Sequence, residues 1–470
     1  MPALGSQSVR VLSLTALCLG AFLIILDSNV LNVALPTIGR DLHGHIDSLQ
    51  WVVNSYTLVF AAFLLTAGGV GDRLGTKGLF LLGVALFTIA SVLCGFSPNL
   101  DTLIGSRMLQ GLGAACLAPG SLSLIAHSYR DPGERAKAIG IWAGTSGIAF
   151  AVGPIVGGVL VEVAGWRSIF FLNLPFGITV FVLTAFFVSR KLRGGTGGID
   201  LPGQVLAIIS LLSLTYVLTE GSHLGWSSAP TGSIFGLCLL TTGLFLFRER
   251  RIHDPLLPTA LFSSTYFSIG NLVGLFYNFG LYGMLFALSL FLQDILKFSA
   301  VLTGLAFLPL TVSGALTSAL VSGRLASRYG PGPPLAIGLS SSLIGSIILS
   351  AVGVHTRYIV MATGLFFFGF GTGMMAPAMT AAVLSETPTE KSGIASAVLN
   401  ASRQVGGALG VAVVGVLLNG HNFVIMMHIA LVIVALLFLI GIGLTLMFLR
   451  FPPHGRDSNP HIVGIDKSYR

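Results

Sequence analysis

Three ionisable side chains lie deep inside long apolar runs of this 470-residue sequence: Asp27, Arg107 and Arg403. A charge in such a place is costly in hydrocarbon, faces a cavity or a partner, and is functional by default. Asp27 lies about eight residues short of the outer end of its run, and Arg107 about seven from the outer end of its own. At 1.5 Å per residue both sit roughly 10–12 Å below the outer surface, so they are expected to be partners or near neighbours. Asp27 is then a carboxylate that takes up and releases a proton, with burial and the approach of Arg107 acting on its proton affinity in opposite senses. The competing reading is a permanent ion pair that orders the helices. Arg403 has no obvious acidic partner in the sequence. It either meets an anionic or polar substrate group or is taken up by carbonyls and Gln404. One embedded acid against two bases favours neutral, zwitterionic or anionic substrates over lipophilic cations.

Uncharged polar residues at similar depth are Asn29, Asn32, Asn54, Tyr56, Gln110, Tyr277, Asn278 and Gln293. Asn32, Tyr56 and Gln293 are the stronger candidates for a substrate cavity, with Gln110 and Arg403 beside them; helix–helix hydrogen bonding is the alternative for each. Gly153-Pro154-x-x-Gly157-Gly158 differs in kind. Proline bends a helix and glycines admit a close neighbour, so this segment suits a hinge or a seal. No phosphate-cradling loop, no His/Glu metal spacing and no nucleophile elbow appears, so the sequence offers no enzyme chemistry and implies no metal or cofactor. The four cysteines lie within apolar runs and are expected to be buried thiols.

These residues need elements to position them, and composition says which kind. Only 9% of the chain is charged, 54% is hydrophobic, and 60 residues are glycine. A water-soluble domain carries about 25% charged residues, so lipid must solvate this surface. The net charge of +8 is scattered in twos and threes between apolar runs, which argues against nucleic acid. Spans of about 20 apolar residues are expected near 11–35, 50–71, 78–97, 101–124, 138–160, 168–189, 200–219, 231–247, 267–292, 302–323, 332–353, 358–383, 392–418 and 424–449. The first run lacks a cleavage site and is expected to be retained as a helix. With the N-terminus inside, nineteen of the 25 Lys and Arg fall on inner segments and four on outer ones. Both termini are therefore expected to be cytoplasmic, in a multi-pass protein of the cell membrane.

The spans repeat. Gly71-Asp72-Arg73-Leu74-Gly75 recurs as Ala326-Ser327-Arg328-Tyr329-Gly330, 255 residues on. Gly111-x-Gly113 with Ala118-Pro119 recurs as Gly369-x-Gly371 with Ala376-Pro377, 258 residues on. The offset covers eight spans, so two six-helix halves are expected with two helices inserted between them. The divisions fall at 1–193 for the first bundle, 194–252 for the inserted pair, 253–450 for the second bundle and 451–470 for a cytoplasmic tail.

Taken together, these motifs resemble the major facilitator superfamily. Gly68-x-x-x-Asp72-Arg73-x-Gly75-x-Lys77 resembles its loop signature between spans two and three, with Thr76 where a basic residue is usual. Arg107-Met108-Leu109-Gln110-Gly111 is similar to the fourth-span motif linked to proton transfer, and Gly153-Pro154-x-x-Gly157-Gly158 to the fifth-span antiporter motif. The stretch from Leu26 to Pro36 resembles the first span of the fourteen-span drug:proton antiporters, the EmrB/QacA type, with Asn29 in place of a usual Thr. Asn173-Leu174-Pro175, Leu292-Gln293 and Asn400-x-x-Arg403-Gln404 echo the same family. Glu220-Gly221-Ser222-His223-Leu224-Gly225-Trp226 and Asn271-Leu272-Val273-Gly274 are similar to exporters of the methylenomycin-resistance kind. The resemblance covers nearly the whole chain. It implies an all-α integral membrane protein of the major facilitator fold with 14 transmembrane helices. It also implies proton-coupled export of drug-like or antibiotic molecules by a monomer, with Asp27 and Arg107 coupling the proton. A proton-coupled importer or facilitator of a small metabolite is the alternative, and a non-transporting membrane sensor the third.

Overall fold

The computed structural model describes residues 6–129, 131–189, 200–225, 227–252, 257, 259–387, 392–420 and 422–448. Among them there is helix and no strand. The chain opens with α1 (Ser6–Asp41), α2 (Ile46–Leu74), α3 (Thr76–Gly95), α4 (Leu100–Ser128), α5 (Pro132–Ala164) and α6 (Ser168–Phe187). Two further helices follow, α7 (Leu201–Leu224) and α8 (Ala229–Glu249). The remainder forms α9 (Thr265–Ile295), α10 (Ala300–Tyr329), α11 (Gly332–Leu349), α12 (Tyr358–Ser385), α13 (Ser392–Leu418) and α14 (Phe423–Phe448). Thirteen of these are long and apolar enough to cross a membrane among the described residues, and α2 stands beside them as a helix of 29 residues. The proposed tail, residues 451–470, and the Gly-rich break at 194–198 lie outside the described residues.

Local chemistry explains where the helices begin and stop. Asn99, Asp131, Asp200, Ser228, Ser264 and Ser299 each turn a side-chain oxygen onto an amide of the first turn that follows, satisfying a donor the helix cannot. Gly75 and Gly165 end α2 and α5 at φ of 104° and 77°, backbone that side-chain-bearing residues rarely adopt. Several helices overrun the apolar spans. α1, expected near 11–35, has 36 residues. Hydropathy marks only the hydrocarbon-matched part, about 30 Å, whereas the helix continues into the polar boundary.

Packing repeats with the eight-helix offset. In the first six helices α3 lies on α4, α2 on α4, α1 on α5 and α6, and α3 on α6. In the last six α11 lies on α12, α10 on α12, α9 on α13 and α14, and α11 on α14. The glycine seams repeat too. A methyl group on Gly83 would sit 2.9 Å from Gly113 O, and one on Gly338 would sit 2.8 Å from Gly371 O. These pairs are related by the same 255 and 258 residues as the sequence motifs, so the repeat is one of close backbone contact.

The two sets of helices meet along α2–α13 and α5–α10, with α1 against α9. α7 lies across the first seam, touching both α2 and α13, and α8 packs on α7. Contact is concentrated at the end away from the termini. There Asp47 bonds Asn419, Gln293 Nε2 donates to Val33 O at 2.7 Å, and Val301 N donates to Glu162 at 3.2 Å. Methyl groups on Gly140, Gly144 and Gly147 of α5 and on Gly323 of α10 would meet open space. The polar links between the two sets named here are thus gathered at the end away from the start of α1.

Candidate functional site

Asp27 and Arg107 meet. Arg107 Nη1 lies 2.6 Å from Asp27 Oδ2, and the two side chains are 1% and 2% exposed. Their net draws on five helices. Gln110 of α4 donates to Asp27 Oδ1 at 2.8 Å and to Ser91 Oγ of α3 at 2.7 Å. Asn173, in the second turn of α6, donates to the same carboxylate oxygen at 2.7 Å and to Ser91 at 3.0 Å. Arg107 Nη1 also reaches Gln110 Oε1 at 2.6 Å, and its Nε reaches Val52 O of α2 at 3.3 Å. Its flat face covers the Tyr56 ring at 4.2 Å. Oδ1 thus accepts from two amides and Oδ2 from the guanidinium, which offsets the cost of holding the charge away from water.

Asn173 and Ser91 are the members that sequence reading missed. Asn173 stood out only inside the Asn-Leu-Pro motif; its signal was a lone amide opening an apolar helix. Ser91 carries none, because serine inside a membrane helix usually bonds its own backbone.

The other expected site residues are spread along the molecule. Gln110 belongs to the Asp27 net. Tyr56 lies against it with its hydroxyl unpartnered, and Asn32 is buried with its Nδ2 on Ser28 O at 2.9 Å and its Oδ1 unpartnered. Gln293 sits in the wide final turn of α9, held by Val33 O and reached by Arg40 at 3.5 Å, so it belongs to the fastened far end. Arg403 lies half-buried on α13 with its guanidinium 5.2 Å from the Tyr277 ring.

The Gly-Pro segment of α5 has two working faces. Methyl groups on Gly153 and Gly157 would press on Asn29 and Val30 of α1, while one on Gly158 would come within 2.9 Å of Val301 Cα in α10. Gly304 of α10 lies against the Pro154 carbonyl in return. In the loop motif, Gly75 makes the turn and Lys77 Nζ donates to Ala185 O and Val188 O at 2.9 and 2.7 Å. That cation caps the C-terminal carbonyls of α6. The side chains at Gly68, Asp72 and Arg73 lie outside the described residues.

Repeated helical units, fastened to each other at one end, and a buried acid–base net are the architecture of a secondary transporter. The match to the family model "Major Facilitator Superfamily" runs from residue 17 to 411, and the chain belongs to that family of membrane transporters. It is 34% identical to the "Methylenomycin A resistance protein" of Streptomyces coelicolor over 90% of this chain and 89% of that one. With the protein of that name from Bacillus subtilis it shares 36% identity over 88% and 89%. With the "Multidrug resistance protein Stp" of Mycobacterium tuberculosis it shares 36% over 86% and 75%. Its fold matches the crystal structure of the human organic anion transporter MFSD10 at a TM-score of 0.66 and 16% identity, covering 93% of this chain and 99% of that one.

Proposed function

We propose that this protein exports drug-like or antibiotic molecules from the cytoplasm in exchange for protons, as a monomer in the cytoplasmic membrane with both termini inside. The single observation that carries the proton step is the Asp27 carboxylate, buried against Arg107 and held by Gln110 and Asn173. The resistance and multidrug relatives support the direction and the cargo. The Lys and Arg bias supports the orientation, in which the fastened end faces outward.

The bundles 1–193 and 253–450 act as the two rocking units, with 194–252 between them. On the cytoplasmic side substrate enters as Asp27 gives up its proton to the cytoplasm and pairs with Arg107. On the outer side substrate leaves, Asp27 takes up a proton from outside, and that proton travels inward on the empty carrier. The Gly153–Gly158 segment serves as the seal on α10, and the loop from Gly68 to Lys77 steadies the cytoplasmic ends. Asn32, Tyr56, Gln110, Gln293 and Arg403 contribute polar groups to the path as it opens and closes.

Asp27→Asn keeps the shape and removes the titration. Everted vesicles carrying the variant should show substrate binding but no pH-gradient-driven accumulation. Full accumulation with its pH dependence intact would refute the role of Asp27, and uptake in the opposite sense by the wild type would favour import.

A further inference from the structure

Arg403 is the embedded charge that the Asp27 net leaves out. Arg107 has its carboxylate; Arg403 has none within ion-pair distance among the described residues, and its Nε is buried without an acceptor. Among the described residues the second set of helices places no charge at the equivalent position, since 258 residues on from Arg107 stands Leu365, fully buried in apolar packing. A lone guanidinium at mid-membrane depth and a buried donor with no acceptor are both costly, and both costs fall when an anion docks.

The surroundings define which anion. The aliphatic stem of Arg403 passes over Gly274, where a methyl group would come within 3.2 Å of its Cγ. Its guanidinium faces the Tyr277 ring, and the Tyr282 ring packs on Gly407, about one helical turn along α13 from Arg403. The place is therefore a cation beside two tyrosines of α9, on the helix that meets α2 of the other set. Planar forks of donors suit carboxylates, and aromatic walls suit flat ring systems.

We infer that Arg403, Tyr277 and Tyr282 form the subsite for aromatic organic anions, a carboxylate or acidic enol on a flat apolar body. The inference rests on the export reading and names its cargo class.

The test separates binding from flux. Purified full-length protein in nanodiscs is titrated by calorimetry with 1-naphthoate and with its neutral counterpart 1-naphthamide. The wild type should bind 1-naphthoate about tenfold or more tightly, the size of a charge-assisted contact. Arg403→Gln should erase that preference, and Arg403→Lys, which keeps the charge, should retain most of it. No naphthoate binding, equal binding of both probes by the wild type, or a preference that survives in Arg403→Gln overturns the subsite. Proteoliposome efflux of fluorescein and ethidium reads the underlying function separately. Charge-selective binding without gradient-driven flux of either dye sinks export and leaves the anion site standing. Flux of both dyes with no charge preference in binding does the reverse.

Discussion

The carboxylate of Asp27 receives donors from Arg107, Gln110 and Asn173 while almost fully removed from solvent. Breaking such a pair from one side leaves an uncompensated buried charge, at a cost of about 3–5 kcal/mol, whereas replacing both partners by apolar groups is often near neutral. Arg107→Leu should therefore lower the thermal unfolding temperature markedly, and Asp27→Leu added to it should recover most of the loss. A double variant no more stable than Arg107→Leu alone would contradict this account of the net. At this scale the sequence disclosed the charged members and their common depth, because charge in an apolar run is conspicuous. It did not disclose Asn173 or Ser91 as ligands, because an amide or hydroxyl in a membrane helix has several ordinary uses. Nor did depth alone separate Gln293, locked at the far end, from residues of the Asp27 net.

Among the elements, the inserted pair has its own fastening. Asp200, at the start of α7, accepts from Gly203 N at 3.0 Å and pairs with Arg248 near the end of α8 at 2.7 Å. Burial works against its charged form, but the Arg248 guanidinium and the Gly203 amide outweigh it and hold the carboxyl below its usual range. A depressed carboxylate contributes stability above its unfolded value, near pH 4, and that contribution disappears as pH falls through the lower folded value. Asp200→Asn should lower the unfolding temperature at pH 7, and the gap to wild type should close below about pH 4. A gap that persists in acid would rule the ion pair out as its source. Sequence reading located α7 and α8 from their apolar runs. The Asp200–Arg248 link was hidden because its partners sit 48 residues apart and nothing local marks them as a pair.

For the whole molecule, the Asp47–Asn419 bond and the packing of Gln50 on Gly415 join α2 to α13 at the far end. If transport needs that end to open, locking it must stop the cycle. Asp47→Cys and Asn419→Cys, introduced into a background with the four native cysteines replaced, should support efflux when reduced, lose it on oxidation and regain it with reductant. Undiminished efflux by the fully cross-linked protein would exclude rocking at this seam. The fourteen-helix plan and its repeat were available from hydropathy and glycine spacing. Which end is fastened was not, since one sequence must serve both the shut and the open state.

The placement of α7 makes the two seams between the sets of helices unequal. Trp51 donates to Glu220 at 2.9 Å, and Gln204 donates to Ala62 O at 2.5 Å and bonds Thr66, so α7 is fastened to α2 near both of its ends. Against α13 it packs as well, but its polar fastenings named here are to α2. The α2–α13 edge therefore carries a shutter, and the α5–α10 edge carries none among the described helices. For a molecule already dissolved in the bilayer, the α5–α10 seam is the one that no inserted helix covers among the described residues.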